Sequence, residues 1–179
     1  KWTSFFVTEK NAVLRKVNIM KREGQVRIPS GCAISAVISR EGRRMTGEKI
    51  VESMIPMHDR SNGLGGGFAA YGIYPEYKDQ YAFHVFYDSN EARIKTEAFI
   101  DRHFDVINLS RIPPRKHPNI TDEPLIWRYF VNPLPTKLQE SQLDERTYVA
   151  RCVIKINDKI DGAYVFSSGK NMGVFKAVG

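Results

Sequence analysis

The sequence predicts an α+β protein built on antiparallel sheets, with its helices set apart from its strands. Three observations predict it. Candidate strands follow one another directly more often than they alternate with helices, whereas a doubly wound fold needs a helix in nearly every crossover. Apolar residues recur at helical spacing in some segments and form short strand-like runs in others. The chain has 179 residues, 42% of them hydrophobic and 26% charged. That suits one domain with a real core, because a chain of about 150 residues buries roughly two-thirds of its unfolded surface.

Residues 1–27 sustain neither a strand nor a helix period and end in Lys21-Arg22-Glu23-Gly24. They read as a flexible basic leader, which need not be native protein, since Met20 is an alternative start. The folded part is expected over 28–179. Residues 33–39 are a predicted strand closed by the turn-like Glu41-Gly42. Thr46 is a good N-cap for a helix over 47–59, with Ile50, Met54 and Met57 on one face and Pro56 kinking or shortening its last turn.

The loop Ser61-Asn62-Gly63-Leu64-Gly65-Gly66-Gly67 leads into strands at 68–74 and 81–87, joined by a turn around Pro75-Glu76-Tyr77-Lys78. Ser89 can cap a helix running to about His103, with Ala92, Ala98 and Phe99 on its apolar side, and 104–112 fits a strand. Pro113, Pro114 and Pro118 mark a connector before an aromatic-rich strand at 125–131. A helix over 144–157 puts Tyr148, Val149, Cys152, Val153 and Ile156 on one face. Asp161-Gly162 then turns the chain into a predicted hairpin of 163–167 and 174–177, linked by Gly169-Lys170-Asn171.

The net charge is +7, which first points to nucleic acid. Its distribution argues against that. Residues 1–31 hold seven basic side chains against Glu9 and Glu23, a net of +5, leaving +2 for the other 148 residues. The charge belongs to the leader and not to a binding face. The longest uncharged stretch, residues 61–75, is glycine-rich and shorter than the ~18 apolar residues of a membrane span. Residues 2–7 are too short and too polar for the apolar core of a signal peptide. The expected compartment is the cytosol, with no membrane and no nucleic-acid partner.

Several patterns invite a chemical reading. The glycine loop could cradle a phosphate with its amides, but phosphate loops run strand, loop, helix. Here the order is helix, loop, strand, which favours a loop that needs positive φ and close backbone approach. Ser167-Ser168-Gly169-Lys170 has the S-x-x-K spacing of some acyl-transfer serines, yet that chemistry needs its serine at a helix start and these residues lie in a predicted hairpin. His58, His84, His103 and His117 show no metal-ligand spacing. With no CxxC and no secretory features, the two cysteines are expected unpaired. Cys152 lies in an apolar helical stripe and is expected in the core. Cys32 follows the small segment Pro29-Ser30-Gly31 and opens a run of small residues. A cysteine nucleophile needs a base, and a free α-amine with a pKa of ~7.7–8.0 is suited to take the thiol proton near neutrality. Spacing alone leaves open whether Cys32 is a nucleophile or a buried strand cysteine.

Three runs carry a more specific signal. They are Ile28-Pro29-Ser30-Gly31-Cys32-Ala33-Ile34-Ser35, then Met57-His58-Asp59-Arg60-Ser61-Asn62-Gly63-Leu64-Gly65-Gly66-Gly67-Phe68-Ala69-Ala70-Tyr71-Gly72, and the end from Asp161-Gly162-Ala163-Tyr164 to Asn171-Met172-Gly173-Val174-Phe175-Lys176. Together they resemble the glutamate-synthase-related class II glutamine amidotransferases, over roughly residue 28 to the last. The resemblance implies an N-terminal-nucleophile hydrolase fold, an αββα sandwich of two antiparallel sheets flanked by helices. It implies a glutaminase: the Cys32 thiolate attacks the side-chain amide of L-glutamine, ammonia leaves, and water hydrolyses the γ-glutamyl thioester.

Arg60 matches the arginine that helps build the pocket near the nucleophile. Ser61 and Ala33 stand where many members of the family have glycine. The domain itself is expected to need no cofactor. FMN and iron–sulfur clusters are expected only in a partner, the flavin-dependent domain or subunit of a glutamate synthase. The nucleophile is internal, so its α-amine exists only once the Gly31–Cys32 bond is cut. The substrate-carboxylate arginine, the Asn-Gly oxyanion pair and the amine-binding aspartate of the family lie beyond the equivalent of Gly179. The expectation is therefore the N-terminal part of the domain, with little glutaminase activity by itself. The alternative is a non-catalytic module of the same fold that assembles with a synthase subunit.

Overall fold

A computed structural model describes residues 32–60, 65–114 and 125–178, with the side chains of 58–60, 177 and 178 outside that description. The chain divides into two compact units, residues 1–66 with 178–179, and residues 67–177.

In the first unit, residues 32–39 are coil, not the strand predicted over 33–39. Ile34 (87% exposed) and Ile38 (84%) face solvent. β-branched composition alone does not make a strand, since a strand needs a neighbour for its N–H and C=O groups. Among the described residues of this unit none supplies one. Instead, the Ser35 hydroxyl donates to Ser53 Oγ at 2.6 Å, and Ser53 in turn donates to the Ile50 carbonyl at 2.7 Å. That relay ties the segment to helix α1, Glu48–Met54. Gly47, not Thr46, precedes the helix, because the Thr46 hydroxyl is directed to the Glu48 carboxylate at 3.3 Å. Pro56 lacks the N–H that would continue the α-helical ladder. The chain goes on as a 3-10 turn, Ile55–Arg60, so the predicted shortening occurs.

The second unit holds the core. Its elements are most of β1 (Gly65–Tyr71), β2 (Tyr81–Tyr87), α2 (Asn90–His103), β3 (Phe104–Ile112), β4 (Leu125–Pro133), α3 (Pro135–Ser141), α4 (Glu145–Lys159), β5 (Ala163–Lys170) and most of β6 (Met172–Val178). Four strands form one antiparallel sheet in the order β3-β4-β2-β5. β1 and β6 form a separate two-stranded ribbon. The predicted class, α+β with antiparallel sheets, is the class observed.

The alternation of the strands explains the layers. Phe83, Val85 and Tyr87 of β2, with Tyr129 and Val131 of β4, face the helices. There they meet Ile100 of α2 and Val149, Cys152 and Ile156 of α4, all buried. The Tyr87 hydroxyl donates to that of Tyr129, which donates to Glu97 of α2, each at 3.0 Å. Burial of so many aromatic and branched side chains, at ~1.5–3 kcal/mol each, is what fixes this face. Ala82, His84 and Phe86 point the other way, and β6 lies on that face. Phe175 meets Phe86 and Phe166 edge-on, and Gly173 packs against the His84 ring.

Helices α2 and α4 start where capping chemistry places them: Ser89 Oγ accepts from the Ala92 amide at 3.1 Å, and Asp144 from the Thr147 amide at 3.0 Å. The sequence reading missed α3, whose signal was Pro135 at its first position. It also misplaced the last two strands. β5 and β6 are not a hairpin, since β5 pairs with β2 and β6 with β1. The cause is Asn171, held at φ 53°. Its Oδ1 accepts from the Tyr74 amide at 2.7 Å and its carbonyl from the Gly72 amide at 2.8 Å. The chain is thereby drawn off β5 onto the other layer.

Candidate functional site

Cys32 opens the unpaired segment 32–39 with its thiol exposed and free. Among the described residues that thiol has no hydrogen-bond or ion-pair partner. Arg60 ends the 3-10 turn, but its side chain lies outside the described residues, as do residues 61–64 of the glycine loop. The structure exposes Cys32 to solvent, and the expected role of Arg60 lies outside the described residues.

The competing patterns resolve on geometry. Cys152 is 3% exposed in the core, as expected, and burial pushes its thiol up in pKa, against a smaller opposing effect of its hydrogen bond with Tyr148. Ser167 and Lys170 lie on opposite faces of β5. The Ser167 hydroxyl accepts from the Val174 amide at 3.0 Å, and Lys170 pairs with Glu145 at 2.7 Å, so no S-x-x-K site forms. Gly67 shows the close backbone approach expected of the glycine loop: a Cβ there would sit 2.9 Å from the Phe175 carbonyl oxygen across the ribbon. Among the described residues no group of three or more His, Cys, Asp or Glu could hold a metal ion, and no helix is long and apolar enough to cross a membrane.

A polar cluster that the sequence reading did not single out lies on the ribbon side of the four-stranded sheet. His84 and Arg128 are direct cross-strand partners of β2 and β4. His84 is 6% exposed, and its Nε2 is 2.7 Å from the Tyr74 hydroxyl. The Arg128 guanidinium lies over the Tyr74 and Phe130 rings and donates from Nη2 to Ser110 Oγ at 2.9 Å. Among the described residues neither His84 Nδ1 nor Arg128 Nε has a hydrogen-bond partner. Burial, and secondarily the Arg128 charge, pushes the His84 pKa down to about 4. At neutral pH, Arg128 thus faces an uncharged imidazole and not a second cation, an arrangement that two like charges directly opposite would destabilise. Burial raises the Tyr74 pKa, with Arg128 opposing, so the phenol stays neutral too. The available signal was a single basic residue at the midpoint of each of two otherwise apolar strands.

No family model matches the chain. An uncharacterized protein of Archaeoglobus fulgidus is 51% identical over 150 residues, which are 83% of this chain and 39% of that protein. The chain thus spans about two-fifths of the length of this relative.

Proposed function

We propose that this chain belongs to a glutamine amidohydrolase domain of the class II, N-terminal-nucleophile type, with Cys32 as its nucleophile. The observation that carries the reading is the Cys32 thiol, exposed at the head of the coil segment 32–39 and within the run 28–35 that resembles the family. The helix, sheet and ribbon layering of residues 67–177 supports an αββα sandwich.

In this reading, cleavage of Gly31–Cys32 frees the α-amine, which takes the thiol proton. The thiolate adds to the amide carbon of glutamine, and the tetrahedral intermediate expels ammonia as the α-ammonium returns its proton. Water then hydrolyses the thioester to glutamate. Arg60 lines the substrate pocket. The ammonia passes to the flavin-dependent domain or subunit of a glutamate synthase, where any FMN or iron–sulfur cluster belongs to that partner.

One observation favours a second reading, a non-catalytic amidotransferase-like module that assembles with a synthase subunit: the Cys32 thiol has no base among the described residues. Intact mass of the protein from its native source, before and after treatment with a glutamine-analogue electrophile, decides between the two. A mature N-terminus at Cys32 that takes up one label, with no label on Cys32→Ala, supports the enzyme. Residues preceding Cys32 retained and no label taken up would leave the module.

A further inference from the structure

The surface between the ribbon and the four-stranded sheet is apolar at its edges, with Phe86, Phe166 and Phe175 on one side and Phe130 and Tyr77 on the other. At its centre sits His84. From the chain leading out of β1, the Tyr74 hydroxyl is 2.7 Å from Nε2. From β6, Gly173 is so close that a Cβ there would lie 3.3 Å from His84 Cε1. From β4, the directly opposite residue is Arg128. From β5, the facing groups are the Phe166 ring, 5.8 Å away between centroids, and Ser167, the cross-strand partner. The titratable and charged groups facing the imidazole are therefore a phenol and a guanidinium, and no carboxylate among the described residues balances a positive charge there.

We propose that His84 is an acid-sensitive latch: a proton taken from solvent by its ring detaches the β1–β6 ribbon from the four-stranded sheet. The neutral ring fits with one hydrogen bond to Tyr74. The imidazolium places a second cation opposite Arg128 and leaves the Nδ1 proton without an acceptor among the described residues. The cheapest escape is to let water in, and water enters where the ribbon meets the sheet, because the helix-facing side of β2 is sealed by the main core. Opening frees His84 to the ordinary histidine range near 6.5. The folded value is about 4, so acidification through that window raises the ribbon's opening equilibrium by up to ~300-fold.

Hydrogen exchange, corrected for the pH dependence of intrinsic rates, reads this directly. The reporters are the Val174 amide, which bonds to Ser167 of β5 across the junction, and the Gly72 and Tyr74 amides, which bond to Asn171 at the end of the ribbon. The control is the Val165 amide, bonded to Asn157 of α4. Between pH 7 and pH 4 the reporters are expected to lose protection about 100-fold or more relative to the control, and His84→Gln, which keeps a group able to bond Tyr74, to lose almost none. Reporters and control losing protection in step, or His84→Gln keeping the wild-type slope, would overturn the latch. If His84→Gln does not fold, the imidazole NMR titration of the wild-type chain decides. His84 titrating well below 6 together with ribbon opening supports the proposal, and titration near 6.5 with the ribbon protected overturns it.

Discussion

The two cysteines occupy opposite environments, and chemistry in solution should separate them. Cys32 is exposed with no partner among the described residues, whereas Cys152 is packed among Tyr148, Val149 and Ile156 in the core. An aromatic disulfide reagent is expected to modify one thiol per chain in the folded protein and the second only after denaturant is added. Cys32→Ala should remove the fast reaction. Fast modification of both thiols would show that the core around α4 opens readily. His84 is the other residue whose environment dictates behaviour. Its folded pKa lies below the unfolded value, so the neutral ring contributes stability that is complete above about pH 6.5 and is lost as pH falls toward 4. The urea midpoint of the wild-type chain should therefore fall more steeply over that window than that of His84→Gln, and converge with it above pH 7.

At the scale of the element, the edges of the layers are held by side chains standing in for strands. Asn157 of α4 accepts from the Val165 amide at 2.7 Å and donates to the Val165 carbonyl at 3.1 Å, closing the outer edge of β5 as a neighbouring strand would. Asn157→Ala removes both bonds and is expected to cost about 2 kcal/mol, measured as a shift in the urea midpoint at unchanged slope. Gly67→Ala drives a methyl group into the Phe175 backbone, and its cost of about 1–3 kcal/mol should appear as faster exchange in the ribbon before the main sheet.

These elements also show what the sequence made legible. β2, β3, α2 and α4 were readable because their signals are local: short apolar runs, the cap Ser89, the helical stripe of Tyr148, Val149, Cys152 and Ile156, and the turn at Gly162, where φ is +78°. The 33–39 segment was misread because β-branched composition says nothing about whether a partner strand exists. The β5–β6 hairpin was misread because the group that redirects the chain, Asn171, bonds to Tyr74, 97 residues away. The two basic residues stood out within apolar runs, but their pairing became legible only when the register of β2 on β4 placed His84 opposite Arg128. Cys32 was nominated by resemblance, and its exposure is a property no local pattern encodes.

For the whole molecule, the charge distribution and the layering carry different messages. The +5 of residues 1–31 leaves residues 32–179 nearly neutral, so any nucleic-acid binding should vanish when those residues are removed, and filter binding at low salt would check it. Residues 67–177 hold the main hydrophobic core, with Phe83 of β2 wholly buried on the helix-facing side of the sheet. Phe83→Ala is expected to cost about 3–5 kcal/mol in thermal or urea unfolding. The proposed chemistry depends on whether Cys32 becomes an N-terminal residue and meets glutamine. The most direct measurement is the intact mass of the natively produced protein after exposure to a glutamine-analogue electrophile. A chain beginning at Cys32, carrying a single label that Cys32→Ala abolishes, is the expected result. A chain that keeps the residues before Cys32 and takes up no label would contradict the account.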